Sequence, residues 1–258
     1  MEDHCLEDGR CVSICPQQAK KVKSSLDLFK LFRQTQIPIC ASLAPSHVAE
    51  FGLDNPRRLA TTLRKLGFTY VEETAEGAEW VAREHLRLLP KGKTPLIASS
   101  CPAIVNLLEI YYPHLLPYLA SVASPMVAHG RIQKKRYGAE TKVVFIGPCI
   151  AKKGEGSREG RAAIDAVLTF VELRQLMEEA GVDPATEPPS EFDGPGAVSA
   201  YAFATPGGLI RSAALDTDLL AAEVVTLDGL EESIALFDNF DEVKGKLRLI
   251  ELLACRGG

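Results

Sequence analysis

The chain of 258 residues is poor in tryptophan (one), methionine (three) and histidine (five), and it has no excess of positive charge. Its 29 basic side chains are outnumbered by 34 acidic ones, for a net charge of -5, which argues against any partner bound by neutralising many phosphates. Nucleic acid is therefore not expected as a main partner. The stretch from Met1 to Lys20 has no apolar core and so cannot serve as a secretory signal, which makes the cytoplasm the expected location. Between Lys93 and Arg131 the only formally charged residue is Glu109. Pro95, Pro102, Pro113, Pro117 and Pro125 interrupt that stretch, and Ser99, Ser100 and Asn106 would need partners in lipid, so it reads as buried core and not as a membrane span. A disulfide-stapled scaffold is also excluded, because seven cysteines are too few for one and an odd number cannot all pair. Metal or redox use in a reducing compartment fits them better. What remains is an ordinary globular composition, 46% hydrophobic and 24% charged. A chain of this length removes roughly three quarters of its surface from water on folding.

From Pro38 onward, short apolar or β-branched runs alternate with segments of helical period, the pattern of parallel strands joined by crossover helices. The fold class is α/β. Strands are expected at Pro38–Leu43, Thr69–Glu72, Pro95–Ser99, Val143–Ile146, Ala166–Thr169, Val224–Leu227 and Leu247–Leu252. Helices are expected at Pro56–Leu66, Glu76–Leu89, Pro102–Tyr111, Pro125–Tyr137, Val171–Ala180, Gly208–Asp216 and Glu231–Asp238, with Gly67 and Gly181 placed to terminate two of them. Strand-to-helix turns recur at Ala44-Pro45-Ser46, at Ser100-Cys101-Pro102 and after Cys149. In open parallel sheets, ligands bind at the carboxyl ends of strands, so these turns are where chemistry belongs. The proline-rich, acidic segment Asp183–Gly196 reads as an exposed loop or a lobe boundary, and the cluster Arg131, Lys134, Lys135, Arg136 as a solvated helix face.

The amino end carries Cys5-Leu-Glu-Asp8-Gly-Arg-Cys11-Val-Ser-Ile-Cys15-Pro16. This is the spacing of a bacterial ferredoxin run, with Asp8 where the second cysteine would stand. Such tight loops direct thiolates at one iron–sulfur cubane while backbone N–H groups bond its sulfurs. A carboxylate is a harder ligand than a thiolate, so Asp8 either binds one iron weakly or leaves a three-iron cluster. Cys15, before proline, either folds back onto the same cluster or belongs with a further ferredoxin half upstream. Cys40, inside an apolar run, is read as a small buried hydrophobe before it is read as a ligand.

Three more cysteines each follow an expected strand: Cys101 in Ala98-Ser-Ser-Cys-Pro-Ala, Cys149 in Gly147-Pro-Cys-Ile-Ala-Lys-Lys-Gly-Glu155, and Cys255 in Ala254-Cys-Arg-Gly-Gly258. Together they resemble the catalytic domain of iron-only hydrogenases, whose signatures have the forms Thr-Ser-Cys-Cys-Pro, Pro-Cys-x-x-Lys-x-x-Glu and Cys-x-Gly-Gly-Cys. The resemblance runs from Ala44-Pro45-Ser46 through Ser124-Pro125 and Phe203-Ala-Thr-Pro-Gly-Gly208 to the last residue. It implies a two-lobed α/β domain with parallel sheets flanked by helices over residues 36–258, preceded by a ferredoxin-like segment over residues 1–24. It further implies a 4Fe-4S cubane held by Cys101, Cys149 and Cys255, joined to a two-iron unit carrying carbon monoxide, cyanide and a bridging dithiolate. The bridging cysteine should come one residue after Gly258, so a fragment or a truncated gene is expected. Lys152, one helical turn after Cys149, would present an ammonium donor near a cyanide ligand, and Glu155 would hold that lysine. Pro102 and Pro148 would stiffen their turns, while Gly207 and Gly208 would let backbone approach a ligand. Pro45, Ser46, Pro125 and Phe203 join this set as cofactor-lining positions.

The chain also departs from the family pattern. Ser100 stands where the proton relay has a cysteine, and a hydroxyl passes protons only through hydrogen bonds, whereas a thiol can ionise. His85, in Glu79-Trp-Val-Ala-Arg-Glu84-His85, stands where a second acid of the relay is expected. Met126 stands for a glutamine, and Gly147 for a methionine that would pack on the cluster, which together soften or widen the surroundings of the metal. The first function this implies is reversible hydrogen oxidation and proton reduction, with electrons passing through the ferredoxin-like cluster to an electron carrier such as ferredoxin. The second is a low-turnover hydrogen or redox sensor that signals through a further domain, which the altered relay favours. A third is a cubane-only protein related to iron–sulfur assembly factors.

Overall fold

Residues 4–89, 94–158, 163–213 and 223–258 are described in the computed structural model. The run Ile39–Leu43 is buried at all five positions, as a strand covered on both faces must be. It forms β1 and pairs in parallel with β2 (Tyr70–Glu73) on one side and β4 (Lys142–Gly147) on the other. Beyond β4 lies β5 (Ala166–Thr169), completing a four-stranded sheet in the order β2-β1-β4-β5. The second sheet has three strands in the order β3-β7-β6, from β3 (Leu96–Ile97), β6 (Val224–Asp228) and β7 (Leu249–Leu253), again all parallel.

Parallel neighbours require crossovers, and helices supply them. Along the chain the helices are α1 (Arg10–Ser13) and α2 (Leu26–Phe32), both before β1, then α3 (His47–Phe51), α4 (Arg58–Lys65), α5 (Ala75–Arg87), α6 (Pro102–Tyr111), α7 (Pro125–Tyr137), α8 (Ala151–Ser157), α9 (Phe170–Ala180), α10 (Gly208–Ser212), α11 (Leu230–Asp238) and α12 (Phe240–Val243). The chain divides into two units. The four-stranded unit comprises residues 9–77 and 126–197, and the three-stranded unit residues 1–8, 78–125 and 198–258.

All seven expected strands are present, as are the expected helices. The far end of the helix expected at Gly208–Asp216 lies outside the described residues. The charge-poor stretch is core: Pro102 through Leu108 are all buried in α6, and among the described residues no helix is long and apolar enough to cross a membrane. Short helices escaped the periodicity reading. In α2 the buried face is Leu26, Phe29 and Phe32, blurred in sequence by the exposed apolar residues Leu28 and Leu31, and α8 contains two glycines and little period. α9 starts on a capping box, Thr169 with Glu172, and ends on Gly181 in the left-handed region.

The segment 183–196 is, as expected, a largely exposed stretch without helix or strand that ends beside the last residue of the four-stranded unit, and it is tied down by specific bonds. Asp193 donates its backbone N–H to the Val71 carbonyl at 2.7 Å and accepts the Val71 N–H at 2.8 Å on Oδ2, so it covers the free side of edge strand β2. Arg64 pairs with Asp193 at 2.8 Å and Lys65 with Glu187 at 2.7 Å, tying the segment to α4.

Candidate functional site

At the carboxyl edge of the four-stranded sheet, β1 runs into Ala44-Pro45-Ser46 and the adjacent β4 runs into Pro148-Cys149. The two turns are joined where Ala44 N–H donates to the Ile146 carbonyl at 2.8 Å. Cys149 is half-buried. On α8, Lys152 is buried and its Nζ donates to Glu155 Oε2 at 2.6 Å. The neighbouring Lys153 points elsewhere. Its Nζ meets the Val167 carbonyl at 2.9 Å and Glu172 at 2.9 Å, bracing α8 against β5 and α9. Burial is the largest single influence on Glu172 and opposes its ionisation, but Lys153 together with the backbone N–H groups of Thr169 and Ser25 holds the carboxyl below its usual range. Met126 is fully buried. At Gly147 the opening that sequence suggests is closed from within the protein, since a Cβ there would lie 2.8 Å from the Phe145 ring and 3.0 Å from Ala44 Cβ. His47, which the sequence reading passed over, is buried beside Ser46 with Nδ1 3.0 Å from the Ala44 carbonyl, and burial pulls its pKa down.

At the carboxyl edge of the three-stranded sheet, β3 leads to Ser99-Ser100-Cys101 and its partner β7 leads to Cys255. Cys101 is the N-cap of α6 with Pro102 in the first turn, the placement proline tolerates best. Cys255 is exposed. Its turn packs on Phe203-Ala-Thr-Pro-Gly-Gly208: a Cβ on Gly258 would fall 2.1 Å from the Ala204 carbonyl oxygen. Gly208 is demanded by the chain itself, since a Cβ there would fall 2.1 Å from the Ala202 carbonyl oxygen and 2.5 Å from that of Phe203. The close approach at this glycine is thus made by backbone carbonyls.

His85 is fully buried on α5. Its Nδ1 lies 2.8 Å from the Val81 carbonyl, and its Nε2 accepts the Ser99 N–H at 3.3 Å. Burial is the main influence on the ring and lowers its pKa, against smaller opposing effects of the Val81 carbonyl and Glu84. Glu84 itself turns outward to Arg87 at 2.6 Å, and Glu79 pairs with Arg83 at 2.6 Å.

The amino-terminal cysteines are divided between the units. Cys5 and Asp8 belong to the three-stranded unit, where Asn106 of α6 donates to the Leu6 carbonyl at 3.0 Å and the Tyr111 hydroxyl to the His4 carbonyl at 3.0 Å. The Cys5 loop is therefore tied to the helix that starts at Cys101. Cys11 and Cys15 belong to the four-stranded unit. There Gly9 has φ 80°, and a Cβ on it would fall 2.7 Å from Ile150 Cδ1, so the turn before Cys11 beds on the residue after Cys149. The backbone N–H of Ala19, aided by those of residues 17, 20 and 18, holds the Cys15 thiol below its ordinary pKa range. No disulfide joins any of the seven cysteines. Cys40 lies wholly inside β1, and burial pushes its thiol pKa up, so it has the character of a core residue and not of a ligand. Soft sulfur donors at strand ends, with a buried lysine three residues after one of them, are the chemistry an iron–sulfur cluster uses.

The profile of the family described as iron only hydrogenase large subunit, C-terminal domain, matches residues 37–258. The chain belongs to the iron-only hydrogenase family. It is 29% identical to the NADP-reducing hydrogenase subunit HndD of Solidesulfovibrio fructosivorans, over 93% of this chain and 46% of that protein. With iron hydrogenase 1 of Clostridium pasteurianum it shares 28% identity over 94% of this chain and 53% of that one. Cytosolic iron-sulfur assembly component 3 of Pongo abelii is also 28% identical, over 71% of this chain and 46% of that protein. The chain spans about half the length of these curated relatives. A variant of the FeFe-hydrogenase HydA1 from Chlamydomonas reinhardtii superposes with a TM-score of 0.68 at 22% identity, covering 90% of this chain and 82% of that one. A structure of HydA(deltaEFG) gives 0.66 at 24% identity with the same coverage. The fold of this member of the iron-only hydrogenase family is thus α/β with parallel sheets flanked by helices, and membership of the family carries the expectation of iron–sulfur cofactors.

Sequence reasoning missed a buried polar group in the four-stranded unit: Glu72, Glu76 and His129, with Arg136 and Tyr137. The basic cluster is accordingly not a solvated face throughout, since Arg136 pairs with Glu72 and Glu76, and Lys134 pairs with Asp165 at 2.8 Å. The available signal was a pair of acids, Glu72 and Glu73, in a short strand where one of them must face inward.

Proposed function

We propose that this chain is an iron–sulfur redox module that interconverts hydrogen with protons and electrons at low turnover, as suits a sensor better than a bulk catalyst. The observation that carries this reading is His85. Its two nitrogens are engaged by the Val81 carbonyl and the Ser99 N–H, so the ring serves as a fixed neutral strut beside Ser100. A proton would have to pass Ser100 by hydroxyl relay alone, with no ionisable thiol there and no acid at position 85.

Cys101, Cys149 and Cys255 would serve as thiolate ligands of one cluster, and Cys5, Asp8, Cys11 and Cys15 of a second, such clusters supplying one-electron transfer and, with a two-iron unit, heterolytic hydrogen chemistry. Lys152 offers a buried ammonium donor, and Glu155 holds its Nζ in place. Within the four-stranded unit Gly9 beds on Ile150, next to Cys149, and within the three-stranded unit Leu6 is held by Asn106 of the helix that Cys101 caps, so each half of the amino-terminal segment packs on an element carrying one of the other cysteines. The partners of this reading are hydrogen, protons and an electron carrier of ferredoxin type.

The test compares hydrogen-oxidation rates of the matured wild-type protein with those of the double variant Ser100→Cys, His85→Glu, at equal iron content. A rise of about a hundredfold, the low end of what a positioned proton-transfer group contributes, is expected. An unchanged rate in protein showing infrared bands of iron-bound carbon monoxide and cyanide would sink the relay assignment. Lack of those bands after maturation would favour a cubane-only protein instead, the reading to which the match with the assembly component points.

A further inference from the structure

We propose that Glu72, Glu76 and His129 form a binding site for one divalent transition-metal ion, separate from the cysteine ligands, with zinc as the representative cation. Glu72 lies on β2, Glu76 in the first turn of α5 and His129 on α7, all within the four-stranded unit. Glu72 is 1% exposed and His129 0%. Each residue offers one atom to a common point, and the three atoms lie within 4.8 Å of one another.

The spacing distinguishes ligands from a hydrogen-bonded pair. His129 Nε2 is 3.2 Å from Glu72 Oε2 and 3.6 Å from Glu76 Oε2, and neither Nε2 nor Glu72 Oε2 has a partner in hydrogen-bonding alignment. A charge-assisted N–H to carboxylate bond closes to about 2.7–2.9 Å. A tetrahedron built on metal–ligand bonds of about 2.0–2.2 Å has edges of about 3.3–3.6 Å. The two ring-to-carboxylate separations, 3.2 and 3.6 Å, lie closer to those edges than to a charge-assisted hydrogen bond.

The atoms turned away from the common point are anchored, as the outer atoms of metal ligands are. His129 Nδ1 lies 2.8 Å from Ser42 Oγ, which is 2.8 Å from Thr74 Oγ1, so a proton on Nδ1 leaves the Nε2 lone pair turned inward. Tyr137 donates its hydroxyl to Glu72 Oε1 at 2.7 Å, and Arg136 donates to the same oxygen. Arg136 Nη2 donates to Glu76 Oε1 at 2.7 Å, while its Nη1 also reaches Glu76 Oε2 at 3.1 Å and leaves that oxygen a second lone pair. Two carboxylates facing one guanidinium leave a negative charge that calls for a cation at the centre. One imidazole and two carboxylate donors suit a borderline ion such as zinc, and are too few oxygens for calcium. Bound there, the ion would clamp β2 and α7 to the start of α5.

The measurement is zinc content and zinc K-edge absorption fine structure on the full chain, purified anaerobically with its iron and then equilibrated with zinc. About one zinc per chain with a nitrogen/oxygen shell at about 2.0–2.1 Å is expected, lost in His129→Phe and in Glu76→Gln at unchanged iron content. The wild-type spectrum decides even if a variant fails to fold. No zinc above background, a sulfur shell at about 2.3 Å, or undiminished zinc in folded variants would overturn the proposal. A His129 ring protonated on both nitrogens in zinc-saturated protein would do so too, by showing that a proton is the central cation.

Discussion

Two histidines are wholly shielded from water, His85 in the three-stranded unit and His129 in the four-stranded unit, and the protein uses them in opposite ways. Burial disfavours the charged form of both. Around His85 the ring nitrogens meet backbone, so desolvation wins and the pKa falls. Around His129, desolvation is opposed by the carboxylates of Glu72 and Glu76, and without a bound metal its pKa rises. Glu76 answers in kind: burial works against its ionisation, but the His129 ring and Arg136 hold its carboxyl down at about 2. The contrast shows that depth alone does not set the charge of a buried ring; the groups that face it do.

The contrast breaks most severely at Arg136. Replacing it with methionine leaves two buried carboxylates facing one ring, and Arg136→Met should cost about 3 kcal/mol of unfolding free energy, measured by denaturant titration. A loss within error would mean that Arg136 contributes nothing to the group. Next is His85→Leu, which orphans the Ser99 N–H and should cost about 2 kcal/mol; a neutral result would show that Nε2 is not its acceptor. Smaller again is Ser42→Ala, which removes the partner of His129 Nδ1 and should cost about 1 kcal/mol. It should leave His85 unaffected, as ring nitrogen shifts in NMR would show.

The smallest effects separate the two rings by pH, in metal-free protein. The contribution of His85 is complete above the unfolded pKa of about 6.5 and is lost as pH falls through its lower folded value. That of His129 is complete below about 6.5 and is lost as pH rises through its higher folded value. Unfolding free energies of wild type, His85→Leu and His129→Phe between acid and alkaline pH should therefore diverge in opposite directions. Parallel curves would refute the contrast.

The strands and the helix ends were readable because their causes are local. A parallel strand buried on both faces is a short apolar run wherever it occurs, as Ile39–Leu43 shows. The end of α9 at Gly181 follows from a left-handed cap that glycine adopts without strain. The cysteine turns were readable for the same reason, each lying just past such a run. His85 was singled out by sequence as a departure from the relay, yet its role as a backbone acceptor depends on Ser99, which arrives from another segment. Segment 183–196 looked exposed by composition, and only pairing with β2 and α4 revealed what it covers.

By itself the sequence determined the α/β class, the order of the strands and the longer helices, the placing of Cys101, Cys149 and Cys255 after strands and the family, since these depend on neighbours along the chain. The tertiary structure alone decided which strands pair into which of two sheets, that Gly208 yields to its own backbone, and that His85 and His129 have opposite electrostatic surroundings. Those outcomes depend on burial and on charges brought close by folding, and interactions at contact distance between segments remote in sequence leave no periodic trace along the chain.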